Sequence, residues 1–167
     1  MITINKINNL PQDEFIKTFA NIFEKAKWIA ERLYNQKPFN NFEDLCSKML
    51  NIFENAAKEN QLIILRAHPD LADKIKISSL TPNSHKEQSN AGLDQCSEQE
   101  FKEFKHLNNK YKKRLGFPFI LAVEGKDKKE ILNNFRKRIL YDQNKEFIEA
   151  KKQVKKIASL RLKKIKS

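Results

Sequence analysis

The chain has 167 residues, 40% of them hydrophobic and 32% charged, with a formal net charge of +12. That length suits one domain, residues 1–167, with a core of its own, that composition argues against a disordered chain, and no uninterrupted apolar run approaches the roughly 18 residues of a spanning helix. Twelve Phe against one Trp predict a core built largely on phenylalanine.

The helical periodicities begin at residue 8. Residues 8–34 carry Phe15, Phe19, Ile22, Phe23, Ala26, Ile29, Ala30 and Leu33 at spacings of three and four, with Pro11 near the start. This predicts one amphipathic helix ending at the polar run before Pro38. A second stripe runs through Phe42, Leu45, Met49, Ile52, Phe53 and Ala56; a polar break follows at 58–61, and the apolar residues 62–65 lead to His68. Pro69 disfavours helical geometry at His68 and so ends that segment. Thr81-Pro82 reads as an N-cap and first helical residue, and Gly92 as the stop.

Residues 98–115 form the next helix, capped by Gly116. The apolar run after it, with Phe119, Ile120, Leu121, Ala122 and Val123, reads as a buried loop entering a helical turn, because no second strand pattern exists to pair with it. Helices over 128–140 and 145–165 complete the chain. With only three glycines and no strand partner, the fold class is all-α, a single-domain multi-helix bundle.

The basic charge is concentrated: residues 126–167 hold 15 Lys or Arg against 5 Asp or Glu. Nucleic-acid binding is the minority reading, since only 6 of the 33 basic residues are Arg and no finger, RNP-like strand or glycine loop is present. Cys46 and Cys96 lack CxxC spacing and zinc-distance partners, so the expectation is reduced thiols and no metal. Residues 1–10 lack signal-peptide character and the chain does not end in Ser-Lys-Leu, so the expected compartment is the cytoplasm, with no membrane contact.

Three places invite chemistry. His68, at a helix C-terminus where the imidazolium is favoured, reads either as a proton carrier or as a cap on the last carbonyls; Asp70 either orients it or caps the following turn. Ser84, Glu87 and Gln88 lie on the opening turns of the Thr81 helix, where free N–H groups suit a small anion and where exposed polarity is equally ordinary. Arg161 falls on the apolar stripe of Phe147, Ala150, Val154, Ile157 and Ile165. A buried guanidinium needs a carboxylate partner, from the protein or from a substrate. His85 and His106 have polar neighbours and read as surface residues, Cys46, Cys96, Tyr34 and Tyr111 show no neighbouring activating group, and the GxSxG, P-loop and HExxH motifs are absent.

Several blocks in order carry a resemblance. They are Ile22-Phe23-Glu24 with Trp28 and Ala30-Glu31; Lys37-Pro38-Phe39; Arg66-Ala67-His68-Pro69-Asp70-Leu71-Ala72; Leu80-Thr81 with Ser84, Glu87-Gln88 and Ala91-Gly92-Leu93; Asn108 with Tyr111; Gly116-Phe117-Pro118-Phe119-Ile120; Arg136 with Arg138; and Ile157-Ala158 with Leu160-Arg161-Leu162. Over nearly its whole length the chain resembles the 2-oxo-4-hydroxy-4-carboxy-5-ureidoimidazoline (OHCU) decarboxylases, which form (S)-allantoin in urate degradation. The resemblance implies an all-helical, usually dimeric enzyme without metal or organic cofactor. It implies His68 as proton donor, with Glu87 and Arg161 as catalytic companions. It implies substrate contacts from Pro69, from Ser84, His85, Lys86, Glu87 and Gln88, and from Phe119, Ile120, Leu121, Ala122 and Val123. Lys27, Leu115 and Tyr141 depart from the family pattern, the latter two at the expected pocket wall. A basic nucleic-acid binder and a catalytically silent scaffold are the competing readings.

Overall fold

The structure is a computed structural model that describes residues 1–73 and 79–167. The described residues hold α-helices and short turns and no strand, so the all-α expectation is met. The chain divides into two compact units, residues 1–67 with 155–167, and residues 68–154.

The first unit contains α1 (Ile4–Asn8), α2 (Gln12–Phe19), α3 (Lys27–Tyr34), α4 (Phe42–Glu54) and α5 (Lys58–Ala67). Its core is phenylalanine-rich: Phe15 lies 4.7 Å from Phe19, and Phe23 lies 5.2 Å from Phe53, ring centre to ring centre. Leu45, Met49, Ile64, Leu65, Ala158 and Leu162 are also fully or almost fully buried in this unit. Burial of such side chains is worth about 1.5–3 kcal/mol each.

The single helix expected over 8–34 is broken twice, at 9–11 between the end of α1 and α2, and at 20–26 between α2 and α3. Lys25 adopts a left-handed backbone (φ 50°) inside the second break. The apolar stripe continues through it, because Ile22, Phe23 and Ala26 are buried all the same. Residues 58–61, expected to be a break, form the first turn of α5 instead. Gln61 is buried there and donates from Nε2 to the carbonyls of Phe53 and Glu54, both at 3.0 Å. It thereby bonds carbonyls of the last turn of α4, where Phe53 O also accepts from Ala56 N at 3.2 Å.

The second unit contains α6 (Pro82–Asn90), a 3-10 turn at Leu93–Gln95, α7 (Glu98–Leu115), α8 (Lys128–Arg138) and the first part of α9 (Gln143–Lys166), whose last turns belong to the first unit. The expected bounds of α7 are met, with Gly116 left-handed (φ 81°) at its C-cap. Helix α8 ends two residues before the expected 140, and α9 begins two residues before the expected 145, where Asp142 Oδ1 accepts from Lys145 N at 2.8 Å. Here the core is Tyr111, Phe104, Phe119 and Phe135, with Phe119 stacked on Phe135 at 3.9 Å.

Candidate active site

Helix α5 ends at Ala67, and His68 follows at once, 8% exposed. Proline after it removes helical geometry at this position, as the sequence requires. The turn beyond His68 is held by side chains of the second unit. Gln88 Oε1 accepts from Ala72 N at 3.0 Å, and Gln88 Nε2 donates to Asp70 O at 3.1 Å. Asn108 Nδ2 donates to Leu71 O at 2.9 Å, and Lys112 Nζ meets Asp70 Oδ2 at 2.6 Å. These bonds hold Ala72 in a left-handed conformation (φ 53°), which costs a non-glycine residue on the order of 1–2 kcal/mol. Asp70 therefore has a role that neither sequence reading named, as the anion of Lys112.

Helix α6 starts as expected: Thr81 Oγ1 accepts from Ser84 N at 3.4 Å, and Pro82 opens the helix. Ser84 and Gln88 are buried one turn apart, Glu87 is half-buried beside them, and His85 and Lys86 are exposed. Two of the five contact residues expected on α6 are thus exposed. Gln88 ties the helix that carries Glu87 to the turn that follows His68.

Residues 119–123 have no regular structure and are buried, the loop expected of them. The chain leaves them in a turn, with Lys126 N donating to Val123 O at 3.0 Å. Arg138 Nη1 donates to Ile120 O at 2.6 Å, while Ala122 N donates to Gln153 Oε1 at 3.0 Å. Arg138 in turn meets Glu146 at both carboxylate oxygens, at 2.8 and 2.9 Å, and Tyr111 donates its hydroxyl to Glu146 Oε2. Burial, reinforced by the Glu146 hydrogen bond and charge, pushes the Tyr111 phenol well above its ordinary pKa, so it stays a donor. This network was missed in the sequence; only the apolar neighbourhood of Tyr111 and Arg138 hinted at it.

Arg161, in the first unit, is 4% exposed. Its Nη2 donates to Glu24 Oε1 at 3.1 Å, and Nη1 donates to the carbonyls of Ile22 at 3.1 Å and Asn21 at 3.4 Å. The carboxylate demanded by its place on the apolar stripe is supplied from within the protein. A cavity of about 420 Å³ in the second unit, bordered by Asp70, Asp73, Phe101, Lys105, Asn108 and Lys112, includes none of the expected site residues. Among the described residues no group of three or more His, Cys, Asp or Glu could hold a metal ion.

The family profile described as OHCU decarboxylase matches residues 8–163. The chain belongs to the OHCU decarboxylase family. It is 37% identical to the 2-oxo-4-hydroxy-4-carboxy-5-ureidoimidazoline decarboxylase of Haloferax volcanii over 161 residues, 96% of this chain and 94% of that protein. It is 36% identical to a uric acid degradation bifunctional protein of a Bacillus strain, covering 99% of this chain but only 32% of that protein's length. Among solved structures, an (S)-allantoin synthase matches with a TM-score of 0.80 at 27% identity, over 98% of this chain and 54% of that one. An OHCU decarboxylase crystallised in the presence of (S)-allantoin shares the fold, with a TM-score of 0.71 at 23% identity over 87% and 94% of the two chains. Membership in the OHCU decarboxylase family fits the order of the blocks from Ile22 to Leu162.

Proposed function

We propose that this chain decarboxylates 2-oxo-4-hydroxy-4-carboxy-5-ureidoimidazoline to (S)-allantoin and CO2 in urate degradation. The observation that carries the reading is a family match over residues 8–163 that takes in a buried His68, with the turn beyond it held by the same helix that bears Glu87.

The substrate's name places a hydroxyl and a carboxylate on C4 and the ureido group on C5 of a ring with one C=N bond. Cleavage of the bond to the carboxylate releases CO2, and its electron pair forms a C4–C5 double bond as the ring C=N takes up charge. Protonation of C5, with the C4 hydroxyl proton passing to the ring nitrogen that took up the charge, then leaves a carbonyl at C4, an N–H in the ring and a new stereocentre. One proton is consumed, and the ring itself is the electron sink. The chain acts as a carboxy-lyase without metal or organic cofactor.

His68 delivers the proton to one face of C5, which fixes the S configuration. Glu87 hydrogen-bonds the hydroxyl or ureido groups, and Arg161 contributes positive charge toward an anionic or carbonyl oxygen. Pro69, Ser84, His85, Lys86, Gln88 and residues 119–123 complete the substrate contacts. Residues 1–167 act as one OHCU decarboxylase-like domain, as a homodimer in the cytoplasm. No helix among the described residues is long and apolar enough to cross a membrane.

The test is circular dichroism of a coupled urate oxidase and hydroxyisourate hydrolase reaction, run with and without this protein. The reading expects optically active allantoin to accumulate far faster when the protein is present. Equal rates, or racemic product in both, contradict it.

A further inference from the structure

Two side chains take hold of the backbone on either side of Leu121. Arg138 donates to Ile120 O, and Gln153 accepts from Ala122 N. Both are held in turn. Arg138 has its bidentate pair with the fully buried Glu146, and its guanidinium lies 4.4 Å over the Phe119 ring. Gln153 donates from Nε2 to Glu149 Oε1 at 2.9 Å, which directs its Oε1 toward Ala122.

Peptide geometry gives this hold a consequence. Among the described residues the one cis peptide is Lys37-Pro38, so both peptides of Leu121 are trans. In a planar trans peptide the C=O and N–H groups point in opposite directions. Directing Ile120 O at Arg138 therefore turns Leu121 N–H away from it. Directing Ala122 N–H at Gln153 likewise turns Leu121 C=O away from Gln153. Leu121 is 6% exposed, yet neither its N–H nor its C=O has a hydrogen-bond partner among the described residues. Each such buried group carries a penalty of roughly 1–3 kcal/mol until something bonds it. A ureide offers both a carbonyl acceptor and N–H donors, the two kinds of partner that Leu121 N–H and C=O lack.

We propose that Arg138 and Gln153 are positioning residues, which hold Leu121 so that its backbone donor and acceptor receive a ureide edge of the substrate. The inference rests on the proposed reaction, whose substrate and product both carry a ureido group. Neither side chain touches the reacting carbon; both act through the backbone between them.

The experiment measures (S)-allantoin binding by calorimetry, and turnover separately, on the same full-length preparations. Gln153→Leu weakens allantoin binding and raises KM by about fivefold to tenfold, the loss of one hydrogen bond, while kcat changes less than about twofold. The double variant Glu149→Gln, Gln153→Glu exchanges donor and acceptor and keeps an acceptor for Ala122 N–H, so it restores binding to within about twofold. Loss of packing alone gives no such rescue. Arg138→Lys keeps the charge and loses the fork, and lowers affinity in the same direction. Should Arg138→Lys fail to fold, the Gln153 series still decides.

A wild type that turns over substrate, with a folded Gln153→Leu variant that binds allantoin equally well, overturns the positioning role and leaves the reaction standing. Allantoin binding that depends on Gln153, without acceleration of allantoin formation, supports the positioning role and overturns the reaction. A wild type that binds no allantoin at millimolar concentration overturns the positioning role.

Discussion

Arg161 and Glu24 form an ion pair at 3.1 Å in which both side chains are 3% exposed, joining residues 137 positions apart. The break between α2 and α3 belongs to the same arrangement. Because the chain leaves helical geometry at 20–26, the carbonyls of Asn21 and Ile22 are available to Arg161 instead of to a helix. Removing one partner of such a pair leaves a buried charge, and Glu24→Ala should cost about 3–5 kcal/mol of stability. Glu24→Gln, which still accepts a hydrogen bond, should cost less. Urea denaturation followed by far-UV circular dichroism measures both; equal midpoints for wild type and Glu24→Ala would contradict the role.

Gln88 uses both ends of its amide on the turn that follows His68. Gln88→Ala leaves the buried Ala72 N–H without its acceptor, a loss of about 1–3 kcal/mol. Because the same turn positions His68, kcat should fall as well. Unchanged stability and unchanged kcat would show that the turn holds itself.

How far all this was legible in the chain depends on the range of the interactions. Thr81-Pro82 and Leu115-Gly116 are local signals, and α6 and α7 begin and end where they direct. Arg161 could be read as buried, and so as paired, from its stripe alone. Its partner Glu24 could not, since nothing in spacing links positions 137 apart. The break at 20–26 was hidden for the same reason: burial of Ile22, Phe23 and Ala26 preserves helical periodicity across a segment that is not a helix. Arg138 and Glu146 stand on two helices joined by a short turn, so neither helix's own periodicity pairs them. Polarity marked residues 84–88 as a group, yet only their spacing on α6 separates the buried Ser84 and Gln88 from the exposed His85 and Lys86.

Three carboxylates carry an acid-stability signature. Glu43, Asp44 and Glu100 have lowered pKa values, first through backbone N–H groups; Lys166, Lys48 and Lys128 respectively add to the effect. A carboxyl whose pKa is lower folded than unfolded stabilises the fold above its unfolded value, and that contribution is lost as pH falls through the folded value. The ordinary values are 4.5 for the two Glu and 3.8 for Asp44, so stability should decline below about pH 4.5. Glu100→Gln should flatten part of that decline in melting temperatures measured from pH 3 to 7. An identical pH profile for wild type and Glu100→Gln would refute the assignment.

The two cysteines should be sluggish nucleophiles. Burial, with Glu100 adding to it, pushes the Cys96 thiol up to about 11, and burial followed by Glu43 raises Cys46. The thiolate is the reactive form, so alkylation by iodoacetamide at pH 8 should run at least about tenfold slower than for free cysteine, then accelerate toward pH 11. Rapid labelling of Cys96 at pH 7 would show an environment unlike the one described.

In the proposed reaction His68 supplies the stereospecific proton. The most direct measurement compares wild type with His68→Asn in the coupled urate reaction, recording the circular dichroism of allantoin as it forms and the far-UV spectrum of each protein. The His68→Asn variant should fold and no longer speed allantoin formation, with product that is racemic as in the uncatalysed decay. A folded His68→Asn variant that still makes (S)-allantoin at the wild-type rate would contradict it.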